Sequence, residues 1–445
     1  MDVLNLNFGK GVGLLFIYTV VTGDTLRGIA ERFGTTTREL LRLNELDSQD
    51  VLVPGLHLLV PGAPYLAAPY RVRSGDDYTS LALKSGVSAR DFEYWTGLRE
   101  TKGDTLKAGS TIYLPKKVTR KKTVETNGYL LPTGDASDAN ILRSISDLTY
   151  VCIFSYQVRP DGTLLAPRDQ DALQGARDAK IAPLMTVTNF DGNNFNTELA
   201  HTVMSNPSLR RKVFNSILNT MRQKGFKGVN VDFEHMHPED RQLYNQFIRE
   251  LKASVRSGGY SVSIAMGPKT SDDPQASWMG AFDYRTLGRE VDFLMLMTYE
   301  WGWVGGPPMA VAPIDQVRAV LKYATSVIPS NKILMGMSLY GYDWPLPFVK
   351  GTTRASGISN NEAQNLALRE QVPIEWDAAS ASPFFRYTNQ AGENHIVWFD
   401  DALSEAAKLQ LIYDFTLRGA TYWVLGNEFP QGWYLLKDSF EVKSL

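Results

Sequence analysis

The stretch Lys227-Gly228-Val229-Asn230-Val231-Asp232-Phe233-Glu234 sets a carboxamide and two carboxyls at every second position. Val229, Val231 and Phe233 alternate with them, which predicts a β-strand with one apolar and one polar side. On such a strand Asp232 and Glu234 point the same way, about 6.7 Å apart, two rises of roughly 3.3–3.4 Å. Polar groups stacked in an interior are costly unless they bond one another or serve chemistry. Two carboxyls this close and partly desolvated do not both ionise easily. One pKa is pushed up, which suits a general acid at neutral pH. An ordinary glycosidase holds its two carboxyls on opposite sides of the scissile bond, and same-side neighbours on one strand cannot straddle a sugar ring. If Glu234 protonates the leaving oxygen, Asp232 cannot attack from the far face. The nucleophile would then be the substrate's own 2-acetamido oxygen, with Asp232 holding that acetamide and sharing a proton with Glu234. A buried carboxyl pair bonded to backbone amides is the plainer alternative.

Such a strand needs a frame. Strand-like runs recur at Gly128–Pro132, Leu148–Tyr156, Ala182–Asn189, Gly228–Glu234, Tyr260–Gly267, Val291–Glu300, Lys332–Tyr340 and Ala420–Gly426. Helical patterns separate most of them, among them Pro207–Lys224, Pro238–Arg256 and Ile314–Ser326. Eight strands with helical crossovers predict an α/β fold, a (β/α)8 TIM barrel spanning 127–445, with its chemistry at the C-terminal ends of the strands. The gap at about 346–397 is too long for one loop and predicts a small inserted α+β subdomain beside the barrel mouth. Lys116, Lys117, Arg120, Lys121 and Lys122 mark a solvated linker at 117–126.

The front of the chain repeats itself. Tyr18-Thr19-Val20-Val21-Thr22-Gly23-Asp24-Thr25-Leu26 matches Tyr70-Arg71-Val72-Arg73-Ser74-Gly75-Asp76-Asp77-Tyr78 at a shift of 52 residues. Each copy closes on a short strand with a proline, Leu58-Leu59-Val60-Pro61 and Ile112-Tyr113-Leu114-Pro115. Leu26, Ile29, Ala30 and Phe33 form one buried helical face, Gly34 stops that helix, and a second helix runs from about Thr37 to Asn44. The second copy repeats this with Tyr78, Leu81, Ala82, Phe92 and Trp95. These βααβ units, 17–62 and 68–116, resemble the LysM module, which binds N-acetylglucosamine-containing glycans such as peptidoglycan and chitin. The resemblance implies a glycan between the loop after strand one and the loop before strand two. In the first copy these are Gly23, Asp24, Thr25 and Leu26 to Arg27 with about Asp50 to Val53. In the second they are Gly75, Asp76, Asp77 and Tyr78 with about Thr105 to Lys107. A spacer repeat that binds nothing is the alternative.

The strand bearing Asp232 and Glu234 resembles the D-G-x-D-x-D-x-E signature of glycoside hydrolase family 18, with Lys227 and Asn230 in place of the first two aspartates. The variant is similar to the spore cortex-lytic N-acetylglucosaminidase branch, which also carries two N-terminal LysM modules. The resemblance implies Glu234 as acid, Asp232 as the residue that orients the acetamide, and Asn230 as a neutral partner below them. Met297-Thr298-Tyr299-Glu300 resembles the family's M-x-Y-D, so Tyr299 would bond the acetamide as it cyclises. Glu300 takes the acidic position and is the rival nucleophile. Trp423 resembles the tryptophan under the −1 sugar, with barrel-core packing as its alternative. Trp301, Trp303, Tyr340, Tyr342 and Trp344 follow strands six and seven and would in part line the cleft. Asp343 could bond a sugar hydroxyl.

Composition narrows the remaining classes. The chain has 445 residues, 43% hydrophobic and 21% charged, which excludes wholesale disorder. A net charge of −2 argues against nucleic acid or an anionic membrane as partner, and no run of about 20 apolar residues predicts a span. The apolar run Gly11 to Val21 follows Asp2 rather than a basic cluster and lacks a small-residue cleavage site, so residues 1–16 read as a leader or extension and not a signal peptide. Cys152 stands alone and reads as a buried thiol, and His235-Met236-His237 lacks a third ligand at metal spacing. No cofactor and no metal are expected. The reading is a monomeric, retaining β-N-acetylglucosaminidase on spore cortex or cell-wall peptidoglycan. The alternatives are a chitinase and a catalytically silent wall-binding lectin or coat protein.

Overall fold

The computed structural model describes residues 15–46, 52–61, 65–85, 92, 106–117, 121–145, 147–427 and 429–445. Eight strands, β1 (Lys122–Leu130), β2 (Tyr150–Val158), β3 (Ala182–Thr188), β4 (Gly228–Asp232), β5 (Ser261–Met266), β6 (Phe293–Leu296), β7 (Ile333–Ser338) and β8 (Gly419–Trp423), form the predicted barrel. Each pairs in parallel with the next, and β8 pairs with β1, so the sheet closes and leaves no edge. The outward residues of β4 enter the main apolar core: Val229, Val231 and Phe233 are fully buried among residues of the surrounding helices. The inward residues meet across the barrel. Asn230 accepts from Tyr129 Oη on β1 (2.9 Å) and donates to Ser263 Oγ on β5 (3.1 Å).

Helix ends follow local rules. Helix Pro207–Lys224 has its predicted bounds, with Asn206 capping the N-terminus and Gly225 in the left-handed region (φ 80°) closing it. The pattern over Pro238–Arg256 resolves into a single 3-10 turn, Pro238–Asp240, and the helix Arg241–Val255.

Four expectations about boundaries change. Strand β1 starts at Lys122, inside the stretch read as linker, because Lys122 Nζ donates to the Leu417 carbonyl (2.5 Å) and the C-terminal strand Phe440–Val442 pairs with Lys122–Val124. Lys122 is thus a bonded strand residue and not part of a solvated linker. The subdomain opens at Tyr340, not 346. Tyr340–Pro345, expected as loop, is a strand of a five-stranded antiparallel sheet that ends at Trp398 and carries helix Asn360–Arg369. Leu15 and Phe16, read as part of an extension, pair with Pro61 and Val60 in the first module's sheet. The rest of that extension, Asp50 and Val51, Trp95 and Thr105 lie outside the described residues.

The second module overruns its expected bounds of 68–116, since strands Tyr65–Arg71 and Thr111–Lys117 pair over their full lengths, and helix Tyr78–Ser85 stands where the repeat places it. In the first, helices Leu26–Phe33 and Thr37–Asn44 follow strand Leu15–Thr19, and His57–Pro61 closes the unit. It sits on the catalytic half. Its core residues Leu26, Ile29, Leu40 and Leu58 share one apolar cluster with Ala363, Phe385, Val397 and Phe399 of the inserted subdomain.

Candidate active site

Where β4 ends, the backbone of Glu234 is gripped by Asn189, which follows β3. Asn189 Oδ1 accepts from the Glu234 N–H (3.0 Å), and its Nδ2 donates to the Glu234 carbonyl (2.9 Å) and to that of Asn196 (3.0 Å). Asn189 is fully buried, so the clamp is shielded from water. The chain then turns sharply at His235 (φ 52°), a left-handed conformation that a non-glycine residue holds only when its surroundings enforce it. His235 stacks on Trp278 with ring centroids 5.6 Å apart.

Asp232 and Glu234 face one cavity of about 370 Å³, lined also by Tyr129, Tyr299, Glu300, Tyr340 and Trp423. Asp232 is 4% exposed, and its Oδ1 is buried with no hydrogen-bond partner among the described residues. Burial pushes its pKa up to about 7. Glu234 rises well above the ordinary carboxyl range, first through burial, then through the charges of Asp232 and Glu300. Burial and mutual repulsion thus both favour the protonated form at this pair, beside an open space. The unpartnered Asp232 oxygen speaks against a pair satisfied by backbone amides.

The aromatic residues divide by placement. Tyr299 is buried, and burial raises its hydroxyl pKa well above normal, so it stays a donor. Trp423 ends β8 with one face against Tyr129 (5.5 Å between ring centroids) and its edge against Phe154 (5.1 Å), which leaves it part of the cavity floor. Glu300 adopts φ 70° and its Oε1 accepts from the hydroxyls of Tyr340 and, at 2.9 Å, Tyr342. Those two bonds fix the carboxyl that could rival the acetamide as nucleophile. Burial raises its pKa, and the two tyrosine hydroxyls partly offset that.

Several expectations fail here. Trp301 packs against the main core and does not line the cavity. Asp343 is bonded within the subdomain, accepting from Tyr387 Oη (2.6 Å) and bonding His395 Nδ1 (2.8 Å), and does not line the cavity. Trp344 is fully buried and donates to the Gly306 carbonyl (2.9 Å). His237 bonds Glu198 (2.8 Å), and His235 stacks as above. Asn189, Phe190, Phe195 and Trp278 escaped the sequence reading. Asn189 closes a predicted strand, which was its one visible signal, whereas Phe190 and Phe195 meet at an isolated bridge with their rings 5.5 Å apart and Trp278 lies in an unpatterned loop.

In the front modules, the glycan candidates turn out to build the fold. Asp24 Oδ2 accepts from Tyr18 Oη (2.6 Å) and the Val21 N–H (2.9 Å). Asp76 Oδ2 repeats this with Tyr70 Oη (2.8 Å) and the Arg73 N–H (2.6 Å). Thr25 and Asp77 cap their helices, accepting from the Gly28 and Ser80 N–H groups. Leu26 and Tyr78 are core residues. Gly23 and Gly75, both at φ 90°, make the turn, and Thr25 and Asp77 beside them are exposed.

Residues 124–428 match glycosyl hydrolases family 18, and 18–61 and 70–115 each match the LysM domain. The chain belongs to family 18. It is therefore a glycoside hydrolase, and the two kinds of domain together support binding of an N-acetylglucosamine-containing glycan. Among relatives of this family-18 chain, the cortical fragment-lytic enzyme of Bacillus subtilis (strain 168) is 39% identical over 96% of this chain and 98% of its own. The crystal structure of the Bacillus cereus spore cortex-lytic enzyme SleL superposes with a TM-score of 0.82 at 35% identity, covering 97% of this chain and 99% of that one. A chitinase from Chromobacterium violaceum is 26% identical, with a TM-score of 0.65, over 71% of this chain and 98% of its own. No helix among the described residues is long and apolar enough to cross a membrane.

Proposed function

We propose that this chain hydrolyses spore-cortex peptidoglycan, or fragments of it, as a retaining β-N-acetylglucosaminidase that uses its substrate's acetamide as nucleophile. Glu234 donates the proton to the leaving oxygen. Asp232 and Tyr299 hold the acetamide against the anomeric carbon, and Trp423 carries the sugar ring. The carrying observation is the placement of Asp232 and Glu234 side by side on one strand end, with the third cavity carboxyl, Glu300, tied by two tyrosine hydroxyls. Likeness along nearly the whole chain to two proteins named for spore cortex lysis supports the substrate and a location at the cortex or cell wall. Chitin is the competing polymer, and relative turnover of chitin oligomers and cortex fragments decides between them.

Replacing Glu234 with Gln is expected to cut reducing-end release from cortex fragments by roughly 10²–10⁴-fold, the usual worth of a positioned acid. Undiminished activity would remove Glu234 from the mechanism. Proton NMR of fresh product should show the β-anomer first, whereas inverted product rules out acetamide participation.

A further inference from the structure

Beyond the catalytic cavity, the barrel flank carries a second concavity that no glycosidase step uses. It has a volume of about 440 Å³ and lies between helices Ala136–Ser144 and Pro430–Ser439, where the first LysM module meets the barrel. Trp433 forms part of its wall and is itself seated on Tyr422 (ring centroids 4.6 Å). Asn427, Asp147 and Lys437 bring polar groups of both signs, and Glu45 of the first module completes the rim. Arg42 of that module donates to Tyr434 Oη (2.7 Å) with its guanidinium 5.5 Å above the same ring, which locks the module into the wall.

Asn427 borders both this groove and the cleft beside the catalytic cavity. A smaller cleft of about 300 Å³ shares Glu300, Tyr340 and Trp423 with the cavity and shares Asn427 with the groove. The loop carrying Asn427 is pinned, because the Leu425 N–H donates to the Tyr129 carbonyl (2.9 Å). Ligand sites favour domain junctions that combine an apolar wall with a few polar groups. An indole face beside amide, carboxylate and ammonium groups suits a sugar ring, which has apolar faces and a polar rim.

We infer that the groove is a distal saccharide subsite. The substrate glycan leaves the catalytic cavity over Asn427 and lies on Trp433, with Arg42 and Glu45 of the first LysM module beside it. The ligand class rests on the function proposed above. The module's fixed position then selects long strands by adding contacts at a distance from the cut.

The test compares kcat/KM on glycan fragments released from spore cortex by a muramidase and sorted by size, octasaccharide against disaccharide. Trp433→Ala removes the platform. Ser144→Trp fills the groove from an exposed helix end, and guards against a fold defect in the first variant. Both are expected to lower the octasaccharide-to-disaccharide ratio roughly ten-fold, the worth of one good aromatic contact. A ratio equal to that of the parent in both variants overturns the subsite. A parent enzyme that cleaves neither fragment instead overturns the proposed function, so the two failures are distinguishable.

Discussion

The two LysM modules share a turn and differ in what lies beneath it. Tyr18, Asp24 and Arg32 in the first correspond to Tyr70, Asp76 and Lys84 in the second, each trio joined by the same bonds: tyrosine to carboxylate, and cation to the tyrosine hydroxyl at 2.8 and 3.0 Å. The first module then spreads its core into the inserted subdomain. His57 bonds Asp401, the cap of helix Ala402–Asp414, with both side chains buried. Asn44, also buried, accepts from Gln431 (2.7 Å) and Gln364 (3.0 Å), and the Ile374 N–H reaches the Pro54 carbonyl (2.9 Å). The second module keeps a separate small cluster of Tyr78, Leu81, Ala82, Phe92 and Leu114. So small a core is marginal alone. One copy of the motif has thus become an integral wall of the catalytic half, while the other, whose strand Tyr65–Arg71 lies along helix Ala402–Asp414, keeps a core of its own. The motif sets the turn, and the surroundings set the stability.

This contrast can be broken most forcefully at Asp401. Asp401→Ala leaves His57 buried without its partner and removes a helix cap, so the main unfolding transition should lose about 3–5 kcal/mol. A loss confined to a minor transition would show that the first module is only appended. The same contact predicts a pH response. Burial alone would raise the Asp401 carboxyl, but His57 and the Ser404 N–H outweigh it and hold the pKa below the ordinary value. The stabilisation is therefore present above an ordinary carboxyl pKa of about 4 and is lost as pH falls through the depressed value. Acid melting curves of the parent should show that loss, and curves of Asp401→Asn should lack it.

A cavity in the second module should behave otherwise. Leu81→Ala is expected to cost that module about 2–4 kcal/mol and to leave the barrel transition where it was. Calorimetry would show an early shoulder moving alone, and a barrel midpoint that follows it would defeat the separation. The mildest comparison uses matched hydroxyl deletions. Tyr18→Phe and Tyr70→Phe each remove one bond worth about 1 kcal/mol. The loss should appear in the main transition for Tyr18 and in the shoulder for Tyr70. At the catalytic end, Asp232→Asn removes one of the charges that raise Glu234, so the alkaline limb of kcat/KM should move to lower pH in whatever activity remains. An unmoved limb would mean that another group sets it.

Much of this was legible from residues in order. Alternation around Asp232 and Glu234 placed both carboxyls inward, because a strand's side chains change face at each residue and the apolar set must meet the helices. Eight such runs with helical spacers close only one way, and the repeat at a shift of 52 residues announced the modules. Proximity created by folding was not legible. Asn189 and Glu234 are 45 residues apart, His57 and Asp401 are 344 apart, and Arg42 and Tyr434 are 392 apart. Nothing local in a sequence marks such partners. Tertiary packing alone decided that Asp343 is consumed by Tyr387 and His395, that Asp24 and Asp76 hold turns, and that one module is built into the barrel's flank. The chain by itself determined period, strand count and the pairing of Asp232 with Glu234 at one strand end, since these follow from backbone geometry within a few residues. The raised pKa values of that pair, and the groove beyond it, depend on desolvation by distant segments, which exists only once those segments have met.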